Sequence, residues 1–249
     1  GNLDGKGTCV LTQTILAGDC YSCAFTGTVS STVAGDVMTD VVTAVAEGGG
    51  GPTDTVTETA TATVSITAGP LHHIVIEDAA DGAGNAVTTH AVTAGQTFQV
   101  WAAGYDVYNN YIEDVSVGWS GTGVVSGRLS PTSGISTTFT AGEAGTGTIE
   151  ANDGSGHEDE TETITVNPGA LDHIVICTDA NGQDLAGSHT MTTDDTWTLY
   201  AAGYDADNNF IANQTATWDE TGTLDNVSAS GASYTFSPST ADTSGTITA

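Results

Sequence analysis

Cysteines, histidines and acid-rich turns are the side chains of this sequence that could do chemistry, and their spacing narrows what that chemistry is. Cys20-Tyr21-Ser22-Cys23 forms a C-x-x-C. No His follows Cys23, which removes covalent haem attachment, and no second C-x-x-C completes a zinc set. No βαβ pattern surrounds the motif either, so thioredoxin-like redox chemistry lacks its scaffold. Structural disulfides are the expected use of Cys9, Cys20, Cys23 and Cys177.

Oxygen-rich turns offer a second chemistry. Asp179-Ala180-Asn181-Gly182-Gln183-Asp184 places oxygen side chains around a glycine, as a hard cation such as Ca²⁺ requires, with Asp179, Asn181 and Asp184 as the ligand candidates. Asp, Asn and Gly are also ordinary turn residues, and the spacing is not that of an EF-hand. Asn213-Gln214-Thr215 and Asn226-Val227-Ser228 are sequons for glycosylation. The histidines show no metal-binding spacing, and no Gly-x-Ser-x-Gly elbow, His-Glu-x-x-His or phosphate loop is present, so no enzyme activity and no organic cofactor are expected.

Charge excludes other classes. Lys6 and Arg128 are the whole basic complement against 31 acidic residues, a formal net charge of -29. Such a surface repels phosphate backbones and anionic lipid, so neither nucleic acid nor a membrane surface is an expected partner. No run approaches the about 18 apolar residues of a spanning helix. The chain opens at Gly1 without Met, which leads us to expect that a leader segment has been removed and that the protein is exported.

The elements that must position these residues are strands. Apolar residues come mostly as Val, Ile and aromatics alternating with Thr, between clusters of Gly, Asn, Asp and Pro, which is an all-β pattern. An internal repeat organises them. Gly69-Pro70-Leu71-His72-His73-Ile74-Val75-Ile76 recurs as Gly169-Ala170-Leu171-Asp172-His173-Ile174-Val175-Ile176, and Ala102-Ala103-Gly104-Tyr105-Asp106 as Ala201-Ala202-Gly203-Tyr204-Asp205. Trp119 matches Trp218, and Phe139 matches Phe236. Phe98, Val100 and Ala102, like Trp197, Leu199 and Ala201, fall on one predicted inward face, with Trp101 and Tyr200 on the other.

The succession of the Ala-Ala-Gly-Tyr-Asp strand, an Asn-Asn turn, a Trp strand and a short Gly-Thr-Ile strand resembles the bacterial immunoglobulin-like repeats of invasin-type and other prokaryotic surface proteins. The resemblance covers residues 69 to 249 and implies tandem β-sandwiches serving outside the cell as stalk, spacer or adhesive module, with no catalytic residues. Surface or cell-cell adhesion partners are implied in the same way.

Four segments follow: 1–16, 17–68, and immunoglobulin-like domains 69–168 and 169–249. Thr61-Ala62-Thr63-Val64-Ser65-Ile66-Thr67 lies over Thr161-Glu162-Thr163-Ile164-Thr165-Val166-Asn167, so residues up to 68 read as the close of a third, divergent repeat. Extra strands are predicted near Thr8–Leu16 and Tyr21–Val33. Val33, Val37, Val41 and Val45 permit a helix, but their β-branching favours strand.

The two full repeats differ at their ends. Gly145-Thr146-Gly147-Thr148-Ile149-Glu150-Ala151 continues into another strand, whereas the matching Thr243–Ala249 does not. A sandwich without its last strand exposes an acceptor groove, here expected along Thr246, Ile247, Thr248 and Ala249 beside Val175. The predicted donor is Thr8–Leu16 of another copy, through Thr8, Val10, Leu11, Thr12, Thr14 and Leu16, giving a head-to-tail homopolymer: an extracellular filament or pilus at the cell surface. The alternative is a piece of a tandem adhesin or surface-layer stalk acting as a spacer. Cys177 stands where the first repeat has Glu77, a position expected to face solvent, so an intersubunit Cys9–Cys177 bond is predicted, leaving Cys20 and Cys23 to each other or to different partners.

Overall fold

A strand persists only where a neighbour takes its backbone N–H and C=O groups, and pairing decides which predicted strands form. The computed structural model describes residues 6–10, 13–17, 19–48, 55–225 and 228–249. The chain divides into two compact units, residues 1–70 with 107–110 and residues 71–106 with 111–249. No α-helix occurs among the described residues.

In the first unit, β1 (Val37–Glu47) and β2 (Thr55–Ser65) form an antiparallel ribbon from Val37 opposite Ser65 to Glu47 opposite Thr55. Val37, Val41 and Val45 are therefore strand, as their β-branching favours, while Val33 lies before it. Apart from the half-buried Val42, every residue of the ribbon is exposed. Upstream, the strands expected near Thr8–Leu16 and Tyr21–Val33 do not form among the described residues. A Cys9–Cys23 disulfide and the Thr8 N–H to Ala24 carbonyl bond at 2.8 Å tie these segments at one point, without a partner strand along their length.

The second unit holds both repeats. Domain 1 comprises β3 (His73–Glu77), β4 (His90–Thr93), β5 (Thr97–Tyr105), β6 (Tyr111–Asp114), β7 (Val117–Gly121), β8 (Leu129–Ser130), β9 (Ser133–Gly134), β10 (Ser136–Thr140), β11 (Gly145–Gly147), β12 (Ile149–Asn152), β13 (Glu158–Glu160) and β14 (Ile164–Asn167). They pair as sheets β3-β5-β10-β8 with β6 on β5, β13-β12-β7-β9, and β11-β14-β4. One core joins all three: Ile74, Ile76, Val100 and Phe139 meet Trp119 and Ile149, with Ile164 and Val166 supplied by β14.

Domain 2 repeats the plan in β15 (His173–Cys177), β16 (Trp197–Tyr204), β17 (Phe210–Asn213), β18 (Ala216–Glu220), β19 (Ala229–Gly231), β20 (Ser233–Phe236) and β21 (Ile247–Thr248). Its core is built on Leu199, Ala201, Trp218 and Phe236. Trp119 Nε1 donates to the Gly134 carbonyl at 3.0 Å and Trp218 Nε1 to the Gly231 carbonyl at 2.9 Å, so the matched indoles anchor both repeats alike. Asn109 and Asn208 take positive φ (62° and 63°) in the matched turns, a conformation that Asn tolerates better than most residues. The fold is all-β: two tandem sandwiches preceded by a strand ribbon.

Candidate functional site

The two domains differ where β14 lies. In domain 1, β14 runs parallel to β4, with Ile164 opposite His90 and Val166 opposite Val92, and antiparallel to β11, with Gly145 opposite Val166. Among the described residues, neither β4 nor β11 has any other strand partner. Ile164 and Val166 are buried by this insertion. In domain 2 the counterparts of β4 and β11, residues 189–192 and 243–245, form no strand. Among the described residues of domain 2, nothing corresponds to the sheet β11-β14-β4.

What remains is a cavity of about 410 Å³ at that edge, walled by Ile176, Met191, Trp197, Leu199, Phe236 and Ile247. Its rim includes His189, whose ring stacks on Trp197 at 4.8 Å, as His90 stacks on Phe98 at 3.7 Å in domain 1. Part of the wall is apolar because alternate residues of each strand point inward, while Ser188, His189 and Thr246 add polar groups to the lining. This geometry suits one kind of ligand: an extended segment that supplies apolar side chains at alternate positions and backbone groups to both flanks.

The predicted acceptor residues are only partly brought together. Thr246 and Ile247 line the cavity. Thr248 pairs with Asp219 on β18, and Ala249 is exposed. Val175 is corrected: it sits opposite Ala202 on β15, and its neighbour Ile176 faces the cavity instead. β14 pairs with β4 and not with β3, the domain 1 counterpart of the strand that carries Val175.

Of the predicted donor, Leu11 and Thr12 lie outside the described residues. Val10, Ile15 and Leu16 are exposed, Leu16 at 70%. Thr8 and Thr14 are exposed as well. Val10 N–H donates to the Tyr21 hydroxyl at 2.7 Å.

The cysteine expectations need correction. Cys9 pairs with Cys23, with Cα atoms 4.8 Å apart, which leaves Cys20 free and exposed and gives Cys9 no thiol to offer Cys177. Cys177 is buried, not solvent-facing, with its sulfur 3.9 Å from the Tyr204 hydroxyl. Burial pushes its thiol pKa up. Glu77, its counterpart, is buried too: the loop after β3 folds back, donating Gly84 N–H to its carboxylate at 3.2 Å, and the Tyr105 hydroxyl donates to it. The fold-back loops cover an outer face that alternation alone assigned to solvent.

The oxygen turn is also accounted for. Asp179 accepts backbone N–H groups from Asn181 (3.1 Å), Gln183 (2.8 Å) and Asp184 (2.8 Å), which hold its carboxyl below the usual range. Among the described residues, no group of three or more His, Cys, Asp or Glu side chains is placed to hold a metal ion. Asn213 is half-buried on β17, and its Nδ2 donates to the Ala180 carbonyl at 2.9 Å, so the atom that would carry a glycan is engaged. Asn226 lies outside the described residues.

Sequence reasoning read Asp205-Ala206-Asp207-Asn208-Asn209 as a turn, and missed a joint. Ala144 N–H donates to Asn209 Oδ1 at 2.7 Å, Asn209 Nδ2 donates to the Gly142 carbonyl at 2.7 Å, and Gly169 N–H donates to Asp205 Oδ2 at 2.6 Å. The turn of domain 2 thereby grips a loop of domain 1 and the link between them. Within the first unit, Ala34 N–H donates to Asn110 Oδ1 at 2.9 Å and Asn110 Nδ2 donates to the Thr32 carbonyl at 2.8 Å. The recurring Asp-x-x-x-Asn was the available signal, and it identifies Thr32–Ala34 with Gly142–Ala144.

The fold defines a class: tandem all-β sandwich domains. No family model and no curated protein matches the chain. Similar solved structures include the Escherichia coli adhesin FdeC, at 21% identity over 66% of this chain and 51% of that one, with a TM-score of 0.38. Domains 5–6 of the S-layer protein SbsC match at 16% identity over 68% of this chain and 84% of theirs, TM-score 0.30. Domains 1–6 of SbsC match at 18% over 76% and 23%, TM-score 0.31. The chain thus spans about half the length of the adhesin chain it matches. At such scores the strand pairing itself carries the fold assignment. No helix among the described residues is long and apolar enough to cross a membrane.

Proposed function

We propose that the protein is a structural subunit of an extracellular filament, assembled head to tail as an N-terminal strand of one copy enters the open edge of domain 2 in the next. The observation that carries this reading is the cavity of domain 2, walled in part by Ile176, Met191, Trp197, Leu199, Phe236 and Ile247, beside segments whose domain 1 counterparts flank β14. Filling it with two aliphatic side chains and a paired backbone gains about 1.5–3 kcal/mol per side chain from burial. The contact is heterologous, so repetition gives a fibre and not a closed ring. The Cys9–Cys23 disulfide favours an oxidising compartment outside the cell, and the -29 charge resists unspecific aggregation of the subunits. The polar side chains at the site serve turns and stacking, which favours assembly over catalysis.

A second reading, a spacer in a tandem adhesin or surface-layer stalk, draws on the Asn209 joint, which suits a stiff rod of domains. Electron microscopy of the purified native protein separates the two. Regular filaments with an axial repeat near one subunit, together with a blue shift of Trp197 emission on assembly, are the expected result. Dispersed rods with unchanged emission at every concentration overturn the filament.

A further inference from the structure

Haem, zinc and thioredoxin-like uses do not fit Cys20-Tyr21-Ser22-Cys23, but the way the cysteines pair gives the motif a chemistry of its own. Cys23 is bonded to Cys9, 14 residues away, while Cys20 keeps its thiol. A free thiol and one end of a disulfide therefore share a single C-x-x-C. The first unit also holds these chain segments together. Tyr21, next to Cys20, accepts the Val10 N–H on its hydroxyl at 2.7 Å, and that hydroxyl donates to the Thr8 carbonyl at 3.5 Å. Ala24, next to Cys23, accepts the Thr8 N–H at 2.8 Å and donates its own N–H to Thr8 Oγ1 at 2.9 Å. Cys9 is thus bracketed by contacts to residues of the motif and its border.

Access decides which sulfur can be attacked. Cys20 and Cys23 are exposed, whereas Cys9 is buried, with 2% of its surface open. A thiolate displaces one sulfur of a disulfide through a mixed disulfide and needs a clear approach to the sulfur it attacks. The approach to Cys23 is open, and the approach to Cys9 is closed. Residues 19–32 form no strand, so no ladder resists the turn that brings Cys20 onto Cys23. Charge favours a reaction within one chain: Cys20 is tethered three residues from its target, while two copies that each carry -29 repel one another.

We propose that Cys20 is the exchange nucleophile for the Cys9–Cys23 disulfide, so that the chain interconverts between two disulfide isomers. The Cys20 thiolate bonds to Cys23 Sγ, the Cys9–Cys23 bond breaks with its electron pair on Cys9 Sγ, and Cys9 takes up the proton that Cys20 gave up. One disulfide and one thiol stand on each side of the step, so it needs no oxidant or reductant. In the second isomer the bond closes within Cys20–Cys23, and the segment around Cys9 loses its covalent tie to the motif. The exchange is internal to the first unit and holds whether or not the protein forms filaments.

Locating the thiol gives the test. The full chain carrying Cys177→Ser, which leaves one thiol, is held at about pH 8.5 without oxidant or reductant, because exchange needs the thiolate. It is then quenched in acid, alkylated with N-ethylmaleimide in mildly acid denaturant, digested without reduction and read by mass spectrometry. Label shared between Cys20 and Cys9 is expected, with Cys9 labelled in at least about a tenth of the chains, a Cys20–Cys23 crosslink to match, and the same proportion at every protein concentration. Cys20→Ser in the same background should take no label. Label confined to Cys20 at all times overturns the exchange, and so does label on Cys9 in the Cys20→Ser chain. Label on Cys23 overturns the direction of attack, and multimers linked through Cys20 overturn the internal route.

Discussion

Asn209 holds Ala144 across the joint between domains 1 and 2, accepting its N–H at 2.7 Å while its own Nδ2 donates to the Gly142 carbonyl. Both bonds come from one buried side chain, so a single substitution removes them together. Asn209→Ala leaves an N–H and a carbonyl without these partners, at a cost of about 1–3 kcal/mol each where they stay buried. The expected outcome is a domain–domain joint that opens: calorimetry resolves two transitions, and X-ray scattering shows a wider distribution of lengths. An unchanged scattering curve would show that the joint is held by something else.

Asp205 gives the same joint an acid limit. Burial alone would raise its pKa, but bonds from Gly169, Asp207 and Asn209 N–H groups and from Asn209 Nδ2 outweigh that and hold the carboxyl below its usual range. A carboxyl with a depressed folded pKa contributes stability above its unfolded value, near about 3.9, and loses it as pH falls through the folded value. The melting temperature should therefore fall between about pH 4 and pH 2. Asp205→Ala is less stable at pH 7, and its melting temperature falls less over that acid range.

The joint also shows what the sequence could and could not reveal. Alternation placed Val100, Ala102, Leu199 and Ala201 in the cores correctly, because period-two burial is a local property. The repeat located β14, since matched strands need only comparison of the chain with itself. Pairing partners are not local. Nothing in His73–Glu77 or His90–Thr93 says which of them lies beside β14, so Val175 was assigned to the groove in place of Ile176. Cys177 was misplaced for a related reason: the loop that covers its face, closed by Cys177 opposite Leu185, is a tertiary event.

That burial makes the thiols distinguishable. Cys20 is exposed, and Cys177 is fully enclosed with its pKa pushed up by burial. An aromatic disulfide reagent at pH 8 should titrate one thiol per native chain, and two once denaturant is added without reductant. Two fast-reacting thiols in the native protein would mean that the loop over Cys177 opens freely.

Val64 and Ile164 occupy the same position of the repeat in opposite surroundings, and their alanine variants should behave in opposite ways. Ile164 is buried in the core of domain 1, and Ile164→Ala should cost about 2–5 kcal/mol of stability, read as a lower denaturant midpoint. Val64 is exposed on the ribbon, and Val64→Ala should change the stability of the free subunit by less than about 0.5 kcal/mol. Chemical denaturation of the two variants measures the difference. A Val64→Ala variant that loses as much stability as Ile164→Ala would mean that Val64 is buried in solution.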